Sequence, residues 1–395
     1  MAWVEVAVAA TDKDNEGLAA RAESRPLGAL ALAALALPGV MPQAAHAELA
    51  PEHASLSVKW LNYNDSQPGL DRIHVGAAAL NLIAPLGERW SLDGTLVRDQ
   101  VSGATPRAHT DISTATKVVN GVGGMHDTRE ELGLKVTHYF DRAAISTGMA
   151  HSSEHDYVSD SWSIDGRMAS ENQNTTWNAG IGGSNDAINS VNLAAVGKTK
   201  TSMDFIVGMT QAWNPLNLVQ VNLTFKMANG YLNDPYKNFE QRPETRDATV
   251  ILARWNHHLP TLGTTLRSSY RYYSDTYGIK AHTVDTAYVI PVGERLVITP
   301  SARYYAQRAA SFYFDPTGGT APSGQAFFSA DQRLSAFGAV TAGAKVDYRL
   351  NQHWSLDAKY ELYKQMAGWR LTGAGSPGID PFNASFLQLG ASYRF

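Results

Sequence analysis

From residue 48 onward the chain alternates apolar and polar residues with a period of two, which restricts it to β-strands whose two faces meet different surroundings. The clearest runs are near the C-terminus. Leu334, Ala336, Val340, Ala342, Ala344, Val346, Tyr348 and Leu350 share one face, opposite Ser335, Thr341, Lys345, Asp347 and Arg349. Trp354, Leu356, Ala358, Tyr360 and Leu362 stand opposite Ser355, Asp357, Lys359 and Glu361, and Leu296, Ile298, Ala302 and Tyr304 opposite Thr299, Ser301, Arg303 and Tyr305. A strand between lipid and an aqueous lumen needs this pattern, with the apolar face outward. A soluble sandwich needs the same alternation with the apolar face inward, so periodicity leaves both architectures open.

The connections favour the first. Short turns are expected at 86–88, 140–142, 170–174, 214–216, 260–263, 291–294 and 350–353. Longer polar segments fall around 64–72, 100–128, 153–158, 185–200, 227–246, 274–279, 308–333 and 366–383. Short and long therefore alternate, as in barrels with tight periplasmic turns and longer external loops, and they count out about sixteen strands with both ends on the periplasmic side. A weak internal repeat marks the short-turn side. Leu86-Gly87-Glu88-Arg89-Trp90-Ser91-Leu92-Asp93-Gly94 is echoed by Leu350-Asn351-Gln352-His353-Trp354-Ser355-Leu356-Asp357-Ala358, and more faintly by Val292-Gly293-Glu294-Arg295-Leu296. Trp90 and Trp354 then fit an aromatic belt at the membrane surface. A barrel of about sixteen strands encloses an aqueous channel unless something plugs it. Segments 100–128, 227–246 and 308–333 are long enough to fold inward and constrict it.

The last residues, Gln388-Leu389-Gly390-Ala391-Ser392-Tyr393-Arg394-Phe395, look like the C-terminal sorting signal by which the barrel-assembly machinery recognises outer-membrane barrels, with Gly390, Tyr393 and Phe395 as its key positions. Phe382, Ala384, Phe386 and Leu389 extend an apolar-rich strand into it. Leu27 to Val40 reads as the apolar region of a signal peptide, followed by the cleavage pattern Ala45-His46-Ala47. Residues 1–47 are therefore expected to be a leader, with 1–24 a polar extension given no structure, and 48–395 the barrel. No apolar run of roughly eighteen residues follows position 47, which excludes spanning helices there. Charged residues are 18% and mean hydropathy is −0.25, too polar for a helical membrane protein. A net charge of −4 without a basic run argues against nucleic acid as a partner. The absence of cysteine removes disulfides, thiolate metal sites, haem attachment, iron–sulfur clusters, cysteine nucleophiles and a lipoprotein anchor.

The polar faces carry both signs of charge: Asp93, Asp99, Lys135, Arg254, Arg267, Arg271, Arg303, Lys345, Asp347, Arg349, Asp357, Lys359 and Glu361. On the hairpin turning at 350–353, Lys345 is expected opposite Asp357, and Arg349 opposite His353. These charges either set a transverse field that orients polar solutes in a pore or form a salt-bridge ladder that packs the lumen. His151-Ser152-Ser153-Glu154-His155-Asp156 is the densest group of potential metal ligands, but it flanks an external strand end and reads as a solvated loop. His257-His258 reads as interface polarity. Ser102, His109, Asp111, His126 and Asp127 supply the residue types of a barrel hydrolase, without a nucleophile elbow or other catalytic context. Gly121-Val122-Gly123-Gly124 has no strand-to-helix setting and makes no phosphate cradle.

Asp99-Gln100-Val101-Ser102-Gly103-Ala104-Thr105-Pro106, His126-Asp127-Thr128-Arg129, Ser153-Glu154-His155-Asp156-Tyr157 and Gly230-Tyr231-Leu232-Asn233-Asp234-Pro235-Tyr236 occur in that order. Together they resemble a family of Gram-negative proteins defined as a domain of unknown function, over about residues 50 to 395. The resemblance implies an exported barrel, often encoded beside a periplasmic flavin transferase and a thioredoxin-like protein, and hence a periplasmic redox or flavoprotein partner. It brings no catalytic residues.

The expectation is an all-β protein, a transmembrane antiparallel up-and-down β-barrel of about sixteen strands in the outer membrane of a Gram-negative bacterium. It is expected to hold no cofactor, to meet outer-membrane lipid, and to act as a passive channel or as a sleeve for a periplasmic partner rather than as an enzyme. The competing expectation is a barrel enzyme or surface-binding protein that works through its external loops.

Overall fold

A computed structural model describes residues 49–103, 125–190, 193–235, 237, 240–315 and 322–395. Its strands are β1 (Ser55–Gln67), β2 (Leu70–Pro85), β3 (Trp90–Gly103), β4 (Met125–Tyr139), β5 (Ala143–Ser153), β6 (Tyr157–Ala169), β7 (Thr175–Ile188) and β8 (Lys198–Asn214). They continue with β9 (Asn217–Gly230), β10 (Thr245–Leu259), β11 (Thr264–Asp275), β12 (Lys280–Val292), β13 (Leu296–Gln307), β14 (Phe337–Arg349), β15 (Trp354–Met366) and β16 (Phe382–Arg394). Each strand pairs antiparallel with its neighbours in sequence, and β16 returns to pair with β1, so the sheet closes. No helix among the described residues is long and apolar enough to cross a membrane.

Closure fixes two surfaces, because alternate residues of every strand point to opposite sides. On β14 and β15 the apolar residues Val346, Leu356 and Tyr360 are 39%, 41% and 49% exposed. Their charged neighbours Lys345, Asp357 and Lys359 keep only 13%, 10% and 18% of their side chains accessible, inside the ring. The same outward apolar set runs round the barrel through Leu96, Leu132, Ile164, Val207, Phe225, Ile251 and Val284. A soluble sandwich would reverse this arrangement, with the aliphatic residues enclosed.

Trp90, Trp177, Trp213 and Trp354 lie outward at the short-turn end. There Trp354 packs on Tyr393 with ring centroids 4.9 Å apart, and Tyr393 meets Phe395 edge-on at 5.0 Å. Amphipathic rings at that level anchor a barrel at the membrane–water boundary.

The structure corrects several boundaries. The segment 64–72 is mostly strand, because Gly69 takes a φ of +70 and turns β1 into β2 within two residues. Segments 153–158 and 274–279 also shorten as their flanking strands extend. Leu334 and Ala336 do not belong to the outward face of β14. A short 3₁₀ turn at Gln332–Leu334, begun where Asp331 accepts from the Arg333 amide, ends the ladder before them. Both side chains are buried inside the barrel mouth.

On this geometry, arginine at Val207, outward and central on β8, destabilises the folded protein by about 2–4 kcal/mol. The same residue at inward Thr210 costs little. Denaturant titration of the two variants in lipid vesicles measures the difference. The native protein retains a compact mobility on detergent gels until it is boiled.

Candidate functional site

The inward faces form a lumen whose charges are mostly satisfied within the wall. Arg129 closes on Asp99 at 2.6 Å, Lys135 on Asp165 at 2.8 Å, Arg303 on Asp285 at 2.8 Å and Lys359 on Glu361 at 2.9 Å. Asn81 donates to Asp93 at 2.6 Å, and Arg254 reaches Gln220 at 3.4 Å. Arg267 and Arg271 face inward on β11, and Arg349 inward at the foot of β14. The hairpin register differs from the sequence reading. Lys345 stands opposite Lys359 and pairs along its own strand with Asp347, Asp357 stands opposite Asp347 and pairs with Lys59, and Arg349 stands opposite Ser355 rather than His353. The reason is the turn: the Asn351 side chain accepts from the His353 and Trp354 amides, and Leu350 bonds Trp354, which shifts the pairing by two residues.

Gly390 is inward, and a Cβ there would strike both Lys59 and Asp357, so its lack of a side chain makes the space in which that ion pair sits. Tyr393 and Phe395 belong to the outward aromatic cluster, and the Phe395 amide bonds the Ala54 carbonyl.

Charge is distributed unevenly round the ring. The inward faces of β3 to β8 carry Asp93, Asp99, Glu131, Asp165, Asp186 and Asp204 against Arg129, Lys135, Arg167, Lys198 and Lys200, and Asp204 pairs with Lys226 of β9 at 3.2 Å, so this arc is close to neutral. Those of β10 to β13 carry Arg246, Arg254, Arg267, Arg271 and Arg303 against Asp275 and Asp285. In the closed order these two arcs are separated by β9 on one side and by β14 to β16 with β1 and β2 on the other.

At the long-loop end the interior is filled. From the segment joining β13 to β14, Ala310, Phe312 and Leu334 pack against inward Tyr63, Val75, Val250, Tyr273, Phe337, Tyr363 and Phe386. The segment joining β9 to β10 holds this plug by ion pairs. Arg333 donates to Asp234 at 2.7 Å and to Asp331, and Arg242 donates to Asp331 at 2.9 Å and to Glu240 at 3.0 Å. Glu240 also accepts from Ser329 at 2.7 Å. Gln67 bonds Gln332 at 3.1 Å, and Gln307 donates to the carbonyls of Arg333 and Ser335, tying the plug to β1 and β13. Burial would push the Asp331 carboxyl up, but Arg333, Lys237 and Arg242 outweigh it and hold the group far below the usual carboxylate range. Glu240 moves the other way, raised by burial and by Asp331 and Asp234 despite Arg242.

Sequence reading did not single out Asp331, Arg333, Arg242 or Glu240. The signal available was the pair Asp331 and Arg333 two residues apart in a segment judged long enough to fold inward. The motifs that carry the family resemblance turn out to do structural work here: Asp99 pairs with Arg129, Asn233 accepts the Arg242 amide at 2.6 Å, and Asp234 takes Arg333.

The remaining candidates do not converge. His151 points outward from β5 and bonds Asp160 at 2.8 Å, whereas His155 lies in the turn before β6. His257 is outward, stacked on Trp255 at 5.3 Å, and His258 is inward against Thr265. Among the described residues no group of three or more His, Asp or Glu side chains is arranged to hold a metal. The backbone pairs Ser102 with His126 and Val101 with Asp127, while His109, Asp111 and 121–124 lie outside the described residues, as do 1–48.

A closed sixteen-stranded sheet with an apolar outer face, aromatic belt and charged interior is an outer-membrane β-barrel of Gram-negative type. The chain belongs to the family described as Protein of unknown function (DUF3570), whose model matches residues 27–197 and 191–386. No curated protein matches the sequence. Among solved structures the chain is similar to one described as a bacterial polysaccharide outer membrane secretin, with TM-score 0.51 and 9% identity over 87% of this chain and 98% of that one. It is also similar to OccK2 (OpdF) of Pseudomonas aeruginosa in complex with glucuronate, with TM-score 0.43 and 10% identity over 87% and 96% of the two chains. A loop-deletion form of OmpT, an outer membrane protein of Vibrio cholerae, gives TM-score 0.42 and 9% identity over 87% and 99%. At these identities the likeness is one of fold.

Replacing Asp331 with asparagine leaves Arg333 and Arg242 without the charge they share, a loss of about 3–5 kcal/mol for a buried pair. Amide exchange in residues 322–335 then accelerates relative to native protein. Because the folded Asp331 carboxyl lies below its ordinary value of 3.8, its contribution is complete above that pH and is lost only as pH falls towards the depressed value. The native-to-variant difference in exchange is therefore the same at pH 7 and pH 5.

Proposed function

We propose that the protein is a passive outer-membrane channel for small polar solutes, with its outer mouth constricted by the segment between β13 and β14. The observation that carries this reading is the placement of ion pairs on the inside of a closed ring wide enough to hold water. Charged side chains facing an enclosed aqueous path suit conduction. The constriction supports gating or size selection, since it is built from loops and leaves the strand ladder complete.

A second reading, a sleeve for a periplasmic partner of redox or flavoprotein type, draws support from the same plug. On this reading the plug closes the outer end, and the charged lumen below it is a cup that receives the partner from the periplasm.

Planar-bilayer recording separates the two. A channel gives discrete conductance steps that become larger or more frequent when Asp331 is replaced by asparagine. A sleeve gives almost no current from either protein and co-purifies with a periplasmic protein. An enzymatic barrel instead shows a hydrolytic activity lost on changing His126 or His155.

A further inference from the structure

β10 and β11 bring three arginines to adjoining inward positions directly below the plug. Arg254 stands opposite Ser269, and Arg267 and Arg271 flank Ser269 on the same face of β11. One inward position beyond Arg271 is Tyr273, whose partner Val250 belongs to the plug core. The row continues through Asp285 on β12 to Arg303 on β13. Asp285 accepts from Arg303 at 2.8 Å, and Asp275 from Arg246 at 2.8 Å. Five guanidiniums thus face two carboxylates on the inner surface of β10 to β13, a net positive wall.

The surroundings suit an anion. Gln220 and Asn256, neutral and hydrogen-bonding, lie beside Arg254 and Arg267 on the same inner face. The arc from β3 to β9 is close to neutral, so the positive excess on β10 to β13 is not offset there and draws a negatively charged solute to the arginine side. Guanidinium forks match carboxylate and phosphate oxygens with paired donors, and rings or stripes of such groups confer anion preference on pores.

We propose that Arg254, Arg267 and Arg271 form a binding site for small anionic solutes bearing carboxylate or phosphate groups, and that it makes the barrel anion-selective. The selectivity rests on the channel reading; the binding does not.

The test uses the refolded protein and a variant carrying Arg254→Gln, Arg267→Gln and Arg271→Gln, each first checked for the heat-dependent gel shift. The reversal potential in a potassium chloride gradient reads selectivity, and calorimetry in detergent with citrate and, separately, inorganic phosphate reads binding. Native protein prefers chloride over potassium and binds at least one probe, and the probe that binds identifies carboxylate or phosphate as the better ligand. The variant loses the preference and binds that probe about tenfold or more weakly, as expected for losing charge-assisted bonds. Substitution by lysine at all three positions, which serves if the glutamine variant does not fold, keeps the chloride preference but weakens binding, because the charge remains and the fork is gone. If the barrel passes no current yet binds a probe in an arginine-dependent way, the channel reading fails and the site stands. Binding of neither probe by native protein, or equal binding by native and glutamine variant, overturns the site.

Discussion

Every backbone amide and carbonyl that faces hydrocarbon must find a partner within the protein, and the β1–β16 ladder is where this chain meets that requirement. Without it two strand edges would stand open in lipid. With it, the ring has no edge, and everything else about the wall follows from alternation: one face in acyl chains, one face enclosed. Gly390 shows how local the demands of closure are. It sits on the closing strand where Lys59 of β1 and Asp357 of β15 meet across it, and a larger residue would drive the pair apart.

The wall was legible because its rules are local. Period two, a turn residue such as Gly87 or Asn351, and the alternation of short with long connections all act within a hairpin, so strand number and the direction of Leu356 or Lys359 could be read directly. The interior of the outer half was not legible. Tyr63, Val75, Val250, Tyr273 and Phe386 are apolar yet point inward, because what they meet there is a plug rather than water. Nothing near them in sequence signals that, since Phe312 and Leu334 come from a distant connection. The latch was hidden for the same reason: Arg242 and Asp331 are 89 positions apart, and Arg333 and Asp234 are 99. Hairpin register also escaped, because a side-chain bond from Asn351 decides it, and a shift of two residues leaves the alternation unchanged.

Of the two roles that the sequence left open for the lumen charges, the ladder is visible in the wall, and the field belongs to the proposed channel. Lys135 with Asp165 and Lys359 with Glu361 are local pairs that hold the wall's polar face together. Their distribution is nevertheless not balanced, with guanidiniums in excess on the β10 to β13 arc and the β3 to β9 arc close to neutral. Salt-bridge ladders made only for packing need no such separation. An asymmetry of this kind acts on whatever enters the lumen, since a one-sided positive excess is not cancelled in an enclosed, partly low-dielectric space.

The plug divides its work between two kinds of interaction. Burying groups such as Phe312 and Leu334 contributes about 1.5–3 kcal/mol each, without specifying where along the wall they sit. The Arg333–Asp331–Arg242 network contributes little net stability after desolvation, yet it tolerates only one geometry, because a buried charge without its partner is strongly unfavourable. Apolar contacts therefore hold the segment in, and the ion pairs decide its position. Both come from connections rather than strands. Gln307 and Phe337, the last partners of β13 and β14, stay paired beneath the plug. Displacing the closure thus breaks no ladder bond in the membrane, and the stability of the wall is separable from the state of the mouth.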